Sequence, residues 1–270
     1  MEKDTLIIIE AFFNYKDIDQ TIESLVGIKS LYKTPEVVPY DIIILENPSK
    51  YSNEMEKIIK KYSEFIKFHY ISNENIEGNI FHYFVNNHIE IIKNYKFIAM
   101  TEGDVILSEY AFDEAYKLIN KYPLVGNVSI DLSLINLNIP PLPISAHGWI
   151  PPAVDGGDCL IGSTGFQFIL FKRDHLLEFI DNLNNKKLVN KIALGVGDFY
   201  GLSDSNLTIF NEYKKAPWIR TKYNKLIHIG WDHYKDPNDE YWKYKNELIS
   251  KHKLRINFDL TNVILYQVIN

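Results

Sequence analysis

The sequence has 270 residues, of which 46% are hydrophobic and 24% charged, and its formal net charge of −6 excludes the basic field of a typical nucleic-acid-binding protein. Its single cysteine, Cys159, excludes an internal disulfide framework and a four-cysteine metal site. No apolar run is long enough to span a bilayer, so we expect a cytoplasmic protein, and peripheral contact with the inner face of a membrane stays open.

The first half of the chain alternates apolar runs with amphipathic segments. TLIIIEAFF, at 5–13, is almost continuously apolar, as expected for a strand buried on both faces of a parallel sheet. DIDQTIESLVGI, which follows, has helical periodicity, and we expect Asp17 to cap that helix and Ser108 to cap a later one. Further strands are predicted at 40–47, 65–71, 96–100 and 124–130, with helices at 53–62, 79–95 and 108–122. This order predicts a doubly wound, mostly parallel sheet over residues 1–131.

The second half has a different pattern. Residues 138–165 are rich in Pro and Gly and irregular over a length that is typical of a functional loop. A strand at 166–173 and a helix at 174–183 follow, and the apolar end at 263–269 is strand-like. Because no linker divides the chain, we predict a single domain over 1–270 with two halves, 1–131 and 132–270.

Carboxylates follow several of the predicted strands. In open parallel sheets, ligands bind beyond the carboxyl ends of the strands. Glu10, Glu46, Glu102 and Asp104 all occupy such positions, and Gly103 lets the last two approach one point closely. Since phosphates would be repelled there unless a cation intervened, Glu102 and Asp104 predict a divalent metal site, although a simple turn explains the same residues.

A second acidic pair, Asp155 and Asp158 in DGGD, is an alternative metal site. Both residues lie in the irregular loop. Trp149, Phe166 and Trp231 offer aromatic faces for a sugar, or fill the core.

The layout resembles that of glycosyltransferases of the GT-A type. The segments that carry the resemblance are LIIIEAFFNYKDIDQTIESL, ILENPS, NENIEGNIFHYF, AMTEGDVIL, GFQFILFKRDHLLEF and GLSDSNLTIF. The layout is most similar to the large, mostly inverting family of bacterial polysaccharide-building enzymes. The resemblance implies an α/β chain with the GT-A (nucleotide-diphospho-sugar transferase) fold, a mostly parallel central sheet with helices on both faces. It also implies that 1–131 binds the nucleotide sugar, that 132–270 binds the acceptor and includes a C-terminal extension, and that the irregular loop is a lid over the donor or the acceptor.

The resemblance also implies a metal site. Asp104 and Glu102 would hold Mn²⁺ or Mg²⁺ against the donor's diphosphate, although the family's Asp-x-Asp is Glu-Gly-Asp here. His228 matches a late histidine that completes the metal site or binds a phosphate, and an imidazole ligand would favour Mn²⁺. A structural histidine between Ile227 and Ile229 is the alternative.

Four further residues receive roles in the same way. Glu46 would contact the base or ribose, Gly78 would permit close approach of the donor, and Glu10 would line the donor site with them. Asp204 would be the general base that deprotonates the acceptor hydroxyl, although Ser-Asp stands where the family often has Glu-Asp. Three of these residues have a structural alternative: a turn for Glu46, a helix start for Gly78 and a helix cap for Asp204.

We therefore expect a glycosyltransferase that moves a sugar from a nucleotide-diphospho-sugar donor to a hydroxyl of a glycan or lipid-linked acceptor, with inversion. A sugar nucleotidyltransferase is one alternative, but EAFFNYKD lacks the glycine-rich loop that would hold a triphosphate after the first strand. A non-catalytic nucleotide- or carbohydrate-binding domain is the other.

Overall fold

The computed structural model describes residues 3–13, 15–27, 40–76, 78–133, 153–185, 204–229, 238–240, 243 and 262–268. Trp149 and Trp231, and most of the loop 138–165, lie outside these residues. The strands are β1 Thr5–Ala11, β2 Asp41–Glu46, β3 Ile66–Ser72, β4 Phe97–Glu102, β5 Val105–Leu107, β6 Asn127–Leu132, β7 Val154–Asp155, β8 Leu160–Ile161, β9 Phe168–Lys172, β10 Ile219–His228 and β11 Leu265–Val268. The helices are α1 Tyr15–Val26, α2 Ser52–Lys61, α3 Asn79–Asn87, α4 Ile89–Ile92, α5 Ala111–Lys121, α6 Arg173–Asn184 and α7 Asp204–Lys214.

All the described strands join one sheet. Their order is β11-β3-β2-β1-β4-β9-β6-β10-β8-β7, and β5 pairs with β10. The strands β3, β2, β1 and β4 are parallel to one another, as are β6 and β10. β9 runs antiparallel between β4 and β6, so the sheet is mixed around a parallel centre. The sheet therefore includes strands from both predicted halves of the chain.

Helices pack on both faces of this sheet. Alternate residues of β1 contribute to two separate cores because successive side chains of a strand point to opposite faces. Ile7 and Ile9 pack with the apolar sides of α1, α2 and α5. Leu6 and Ile8 pack with those of α3, α6 and α7. This confirms the predicted α/β architecture with helices on both faces.

Local details differ from the sequence-based expectations. Helix α1 begins at Tyr15, so Asp17 lies in its first turn and not at its N-cap. Helix α5 begins at Ala111, and Ser108 instead accepts a hydrogen bond from the Lys225 backbone N–H at 3.1 Å. The sequence pattern located both helices, but the positions where they begin differ from the predicted ones.

The helices in the described part of the chain are all too short or too polar to cross a membrane.

Candidate metal centre

The carboxyl ends of β1 and β4 lie side by side at one edge of the sheet. Glu10 is the register partner of Glu102, so the two carboxylates leave adjacent strands at the same level. Strand alternation places both on the face that is covered by α3 and α7. Glu102 is the last residue of β4, whereas the sequence had suggested that the strand ends at Met100.

Gly103 fixes the turn that follows. A Cβ atom at this position would lie 2.7 Å from the main-chain oxygen of Glu10 and 3.4 Å from Cδ1 of Ile18. Contact with backbone at that distance leaves no space for any side chain. The glycine therefore lets the Glu102–Asp104 turn pack directly onto the end of β1, as its sequence position suggested.

His228 reaches the turn from the far end of β10. This strand pairs antiparallel with β5, and His228 is the register partner of Val105. Beyond the strand, the Ile229 N–H donates a 2.8 Å hydrogen bond to the carbonyl oxygen of Asp104. β10 and Ile229 thus pair with β5 and with the residue before it. This pairing brings His228 close to the two carboxylates.

Three side chains converge here. Nε2 of His228 lies 3.2 Å from Oε2 of Glu102 and 3.5 Å from Oδ1 of Asp104. One ligand atom from each residue falls within 4.8 Å of the others. The side chains of Glu102 and Asp104 are 37% and 24% exposed, so a ligand can reach the cluster from solvent.

The protonation of the three side chains depends on their burial and on the charges of their neighbours. Burial raises the pKa of Asp104 to about 6; His228 opposes this rise, and Glu102 and Asp17 add to it. Burial disfavours the imidazolium form of His228, but the charges of Asp104 and Glu102 outweigh it and raise the histidine pKa to about 9. At neutral pH a proton on His228 therefore neutralises part of the negative charge, and a cation that binds here would displace that proton.

The residues fit a divalent cation. Two carboxylate oxygens and one imidazole nitrogen, within coordination reach of each other and open on one side, are a donor set that suits Mn²⁺ and suits Mg²⁺ less well. The predicted grouping of Glu102, Asp104 and His228 is therefore present as a cluster in the structure.

Two hydroxyl groups of α1 hold β5 in place. Thr21 is fully buried, and its Oγ1 accepts a 3.0 Å hydrogen bond from the Val105 N–H. Ser24 Oγ accepts a 3.3 Å hydrogen bond from the Leu107 N–H. Sequence reasoning missed these residues, although two hydroxyl residues three positions apart in a buried helical stripe were a readable signal.

Glu10 is a further acidic group at this edge. Its Oε1 is shielded from water and has no hydrogen-bond partner among the described residues. Burial raises the pKa of Glu10 well above its usual range, the charge of Glu102 adds to the rise, and the Phe81 backbone N–H opposes it. Glu10 lies near the end of β1, as its sequence position suggested. Its contact with a donor stays a prediction.

Glu46 lies at the end of β2 as predicted, but it is buried. Its Oε2 and Nε2 of His69 are 2.9 Å apart, and the two side chains are 1% and 2% exposed. The structure therefore gives Glu46 a partner in β3 that the sequence analysis did not foresee, and its contact with a base or ribose stays a prediction. A histidine within the apolar strand FIKFHYI was the available signal.

Gly78 and Asp204 both lie at helix starts. Gly78 has helical dihedral angles (φ −59°, ψ −10°), and a Cβ there would make an ordinary 3.8 Å contact with Oε2 of Glu10. Packing within the described residues thus does not require a glycine. Asp204 is exposed at the first position of α7, where its Oδ1 accepts a 2.7 Å hydrogen bond from the Ser205 N–H. The roles of both residues stay predictions.

The two carboxylates of the alternative acidic pair, Asp155 and Asp158, each form an ion pair with a lysine. Asp155 Oδ1 lies 2.8 Å from Nζ of Lys222, and Asp158 accepts hydrogen bonds from Lys121 and the Tyr122 hydroxyl. Each carboxylate is neutralised by its own cation, so the two do not converge on a common ligand.

Sequence comparison finds relatives of this chain in a virus. No protein-family model matches the chain. Two curated relatives come from Acanthamoeba polyphaga mimivirus: Uncharacterized protein L138 is 30% identical over 216 residues, which is 76% of this chain and 23% of that protein. Uncharacterized protein L142 is 30% identical over 234 residues, which is 82% of this chain and 44% of that protein. The chain therefore spans less than half the length of these two relatives.

The same α/β architecture occurs in a solved glycosyltransferase structure. A mannosyltransferase from Pyrobaculum calidifontis, PcManGT, in complex with GDP-Man and Mn²⁺, superposes with a TM-score of 0.52 at 9% identity. The superposition covers 94% of this chain and 63% of the mannosyltransferase. The chain has the fold of GT-A type glycosyltransferases.

Proposed function

We propose that the chain is a metal-dependent glycosyltransferase that moves a sugar from a nucleotide-diphospho-sugar donor to a hydroxyl of a glycan or lipid-linked acceptor, with inversion. The observation that carries the proposal is the convergence of Glu102, Asp104 and His228 at the carboxyl edge of a GT-A type sheet. Open α/β sheets bind their ligands at this edge.

Glu102, Asp104 and His228 would hold Mn²⁺ or Mg²⁺. When bound, the cation would offset the charge that builds up on the departing nucleoside diphosphate. The protein's own part is to keep three ligand atoms together, which it does through the Gly103 turn and the β5–β10 pairing. The neighbouring Glu10, Glu46 and Gly78 would line the donor site.

Asp204 would act as the general base. Its helix α7 contributes Leu207 and Phe210 to the core on the α3 side of the sheet, the side towards which Glu10 and Glu102 point. As a general base, this exposed carboxylate would accept a proton from an acceptor hydroxyl as the hydroxyl attacks the anomeric carbon. Attack assisted by such a base, opposite the leaving group, would invert the anomeric centre.

The test is a thermal-stability panel of nucleotides and nucleotide sugars, GDP-mannose among them, with and without Mn²⁺. A ligand at a hundred times its Kd stabilises by about 2.7 kcal/mol. For a protein of this size that is a rise in Tm of roughly 2–4 °C per kcal/mol. We expect a shift that needs both Mn²⁺ and one nucleotide, that is lost in Asp104→Ala and that persists in the control Asp155→Ala.

Transfer is tested separately. The Asp204→Asn variant should keep the nucleotide-dependent shift but lose sugar transfer to acceptor. Equal transfer by Asp204→Asn and wild type would remove Asp204 from the mechanism. A donor-dependent shift with no turnover of any donor would favour the non-catalytic binding domain, and no shift at all would contradict the proposed donor class.

A further inference from the structure

A second cleft lies at the opposite end of the sheet from the metal-ligand cluster. Its volume is about 510 Å³, which is within the range of small-molecule sites. It opens where β1 and β4 begin, where β9 ends and beside the last turn of α5, whereas Glu10 and Glu102 lie at the other ends of β1 and β4.

The lining of this cleft has an excess of positive charge. Four cationic side chains and two carboxylates border it: Lys3, Lys96, Lys172, Arg173, Asp4 and Asp174. Lys3 pairs with Asp41 at 3.2 Å, and Arg173 pairs with Asp174 at 2.8 Å. Among the residues that the structure describes, the Asp4 carboxylate accepts hydrogen bonds only from the Thr5 and Tyr116 hydroxyls. Lys96, Lys172 and Asp4 together therefore leave one net positive charge at the cleft, in a chain whose net charge is −6.

The ammonium groups of Lys96 and Lys172, which line the cleft, contact uncharged groups. Nζ of Lys96 donates to Asn120 Oδ1 at 3.0 Å, and it lies 4.7 Å from the centre of the Phe97 ring. Lys172 is the register partner of Phe97 in the neighbouring strand. Its Nζ donates hydrogen bonds to the main-chain oxygens of Tyr122 and Pro123, at 3.1 and 2.8 Å. Within the described ranges, no carboxylate lies within ion-pair distance of either ammonium group.

The end of α5 explains part of this arrangement. A lysine beside the last carbonyls of a helix offsets the partial negative charge there, which is about half an elementary charge. Two full positive charges exceed that value even after the Asp4 carboxylate offsets one of them, so the balance stays positive. Burial lowers the pKa of Lys172, and the charge of Lys96 adds to this effect. An anion seated between the two ammonium groups would offset the remaining positive charge.

We propose that this cleft binds a small phosphate-bearing anion, with Lys96 and Lys172 as its principal contacts. A concave site of this volume favours a compact soluble anion, since a flat membrane surface would reach few of the lining groups. The site is separate from the proposed metal centre and does not depend on a glycosyltransferase activity.

The experiment is calorimetric titration of the metal-free protein with inorganic pyrophosphate, and with inorganic phosphate as the smaller probe. Lys96→Gln should weaken pyrophosphate binding about tenfold, as expected when one cation beside a partly solvated anion is removed. Lys96→Arg should restore binding because the charge is kept. Lys117→Gln, which removes an exposed lysine of α5 that does not line the cleft, is the matched control and should bind like wild type.

Three results would overturn the proposal: no pyrophosphate binding by wild type, equal affinity in wild type and Lys96→Gln, or loss of binding in Asp104→Ala, which would show that the site is not independent of the metal centre. Binding to vesicles of anionic phospholipid without binding to pyrophosphate would also contradict it. Retained binding in Asp104→Ala would support it whatever the outcome of the nucleotide panel.

Discussion

Nε2 of His228 lies 3.2 Å from Oε2 of Glu102, although 126 positions separate the two residues in the chain. The contact depends on β10, which runs parallel to β6 and then continues antiparallel along β5 to the metal-ligand turn. One strand therefore links the second half of the chain to the carboxylates of the first.

This contact predicts a preference for manganese. Mn²⁺ accepts an imidazole ligand more readily than Mg²⁺ does. In the presence of the nucleotide that binds best, His228→Ala should lower the affinity for Mn²⁺ roughly tenfold, or about 1.4 kcal/mol. The affinity for Mg²⁺ should change much less. Titration of each metal followed by calorimetry, with Asp155→Ala as control, measures both effects, and a parallel loss for the two metals would argue against a direct imidazole ligand.

Two glycines near Glu10 should respond oppositely to alanine. In Gly103→Ala the new Cβ would meet the Glu10 main-chain oxygen at 2.7 Å, so the turn must shift, and we expect a loss of about 1–3 kcal/mol in the free energy of unfolding. In Gly78→Ala the new Cβ would meet Glu10 Oε2 at 3.8 Å, in backbone that alanine adopts freely.

Gly78→Ala should therefore stay within about 0.5 kcal/mol of wild type in stability. Its nucleotide-sugar affinity should fall if the donor approaches this backbone as predicted. Denaturant unfolding and donor titration of both variants separate the effects. Unchanged donor affinity in a stable Gly78→Ala protein would count against the predicted close approach.

Thr21 positions the metal-ligand turn from α1. Thr21→Val keeps the shape of the side chain but leaves the buried Val105 N–H without its 3.0 Å acceptor, which should cost about 1–3 kcal/mol of unfolding free energy. Thr21→Ser keeps the hydroxyl and should stay close to wild type. Because Val105 follows Asp104 directly, Thr21→Val should also lower Mn²⁺ affinity in the folded protein. Lower stability with normal Mn²⁺ affinity would assign Thr21 a purely structural role.

The layout of the fold was readable from the sequence because buried parallel strands are continuously apolar. β1, β2 and β4 followed from such runs, and Gly103 followed from its position between two carboxylates. β5 was missed because three residues bounded by the metal turn and α5 carry no periodicity of their own. Its existence depends on pairing with β10, more than a hundred residues away.

The partners of the site residues were not readable. That Glu102 and Asp104 meet His228 was implied by resemblance and not by any local pattern, since sequence gives no distances between strands. The pairing of Glu46 with His69 depends on the register of β2 against β3, where an irregularity between Ile42 and Ile43 shifts the alignment. A shift of one residue in register moves a side chain to the opposite face.

The Glu46–His69 pair predicts a stability effect at a residue that was expected to bind the donor. Glu46→Ala would leave the buried imidazole without its 2.9 Å partner, and a buried hydrogen-bonding group that loses its partner costs about 1–3 kcal/mol. Glu46→Gln keeps a hydrogen-bonding oxygen and should cost clearly less. Urea unfolding of both variants measures the difference, and near-native stability of Glu46→Ala would show that the pair contributes little.

His175 predicts a loss of stability in acid. Its Nε2 lies 2.7 Å from Oδ1 of Asn211, and the ring leaves no space for a side chain at Gly126. Burial lowers the pKa of His175 below the ordinary value, although Asn211 opposes this effect. Above about pH 6.5 both the folded and the unfolded chain hold the neutral ring, so this group adds no pH dependence there.

Below about pH 6.5 the unfolded chain binds a proton that the folded chain does not, so the contribution of His175 falls as pH decreases through its lowered folded pKa. The free energy of unfolding should therefore decline as the pH falls below about 6.5, and His175→Gln should reduce the slope of that decline. Urea unfolding of the two proteins across this range provides the measurement, with the difference between them isolating His175 from every other titrating group. Identical slopes would mean that the imidazole is protonated equally in the folded and unfolded chain.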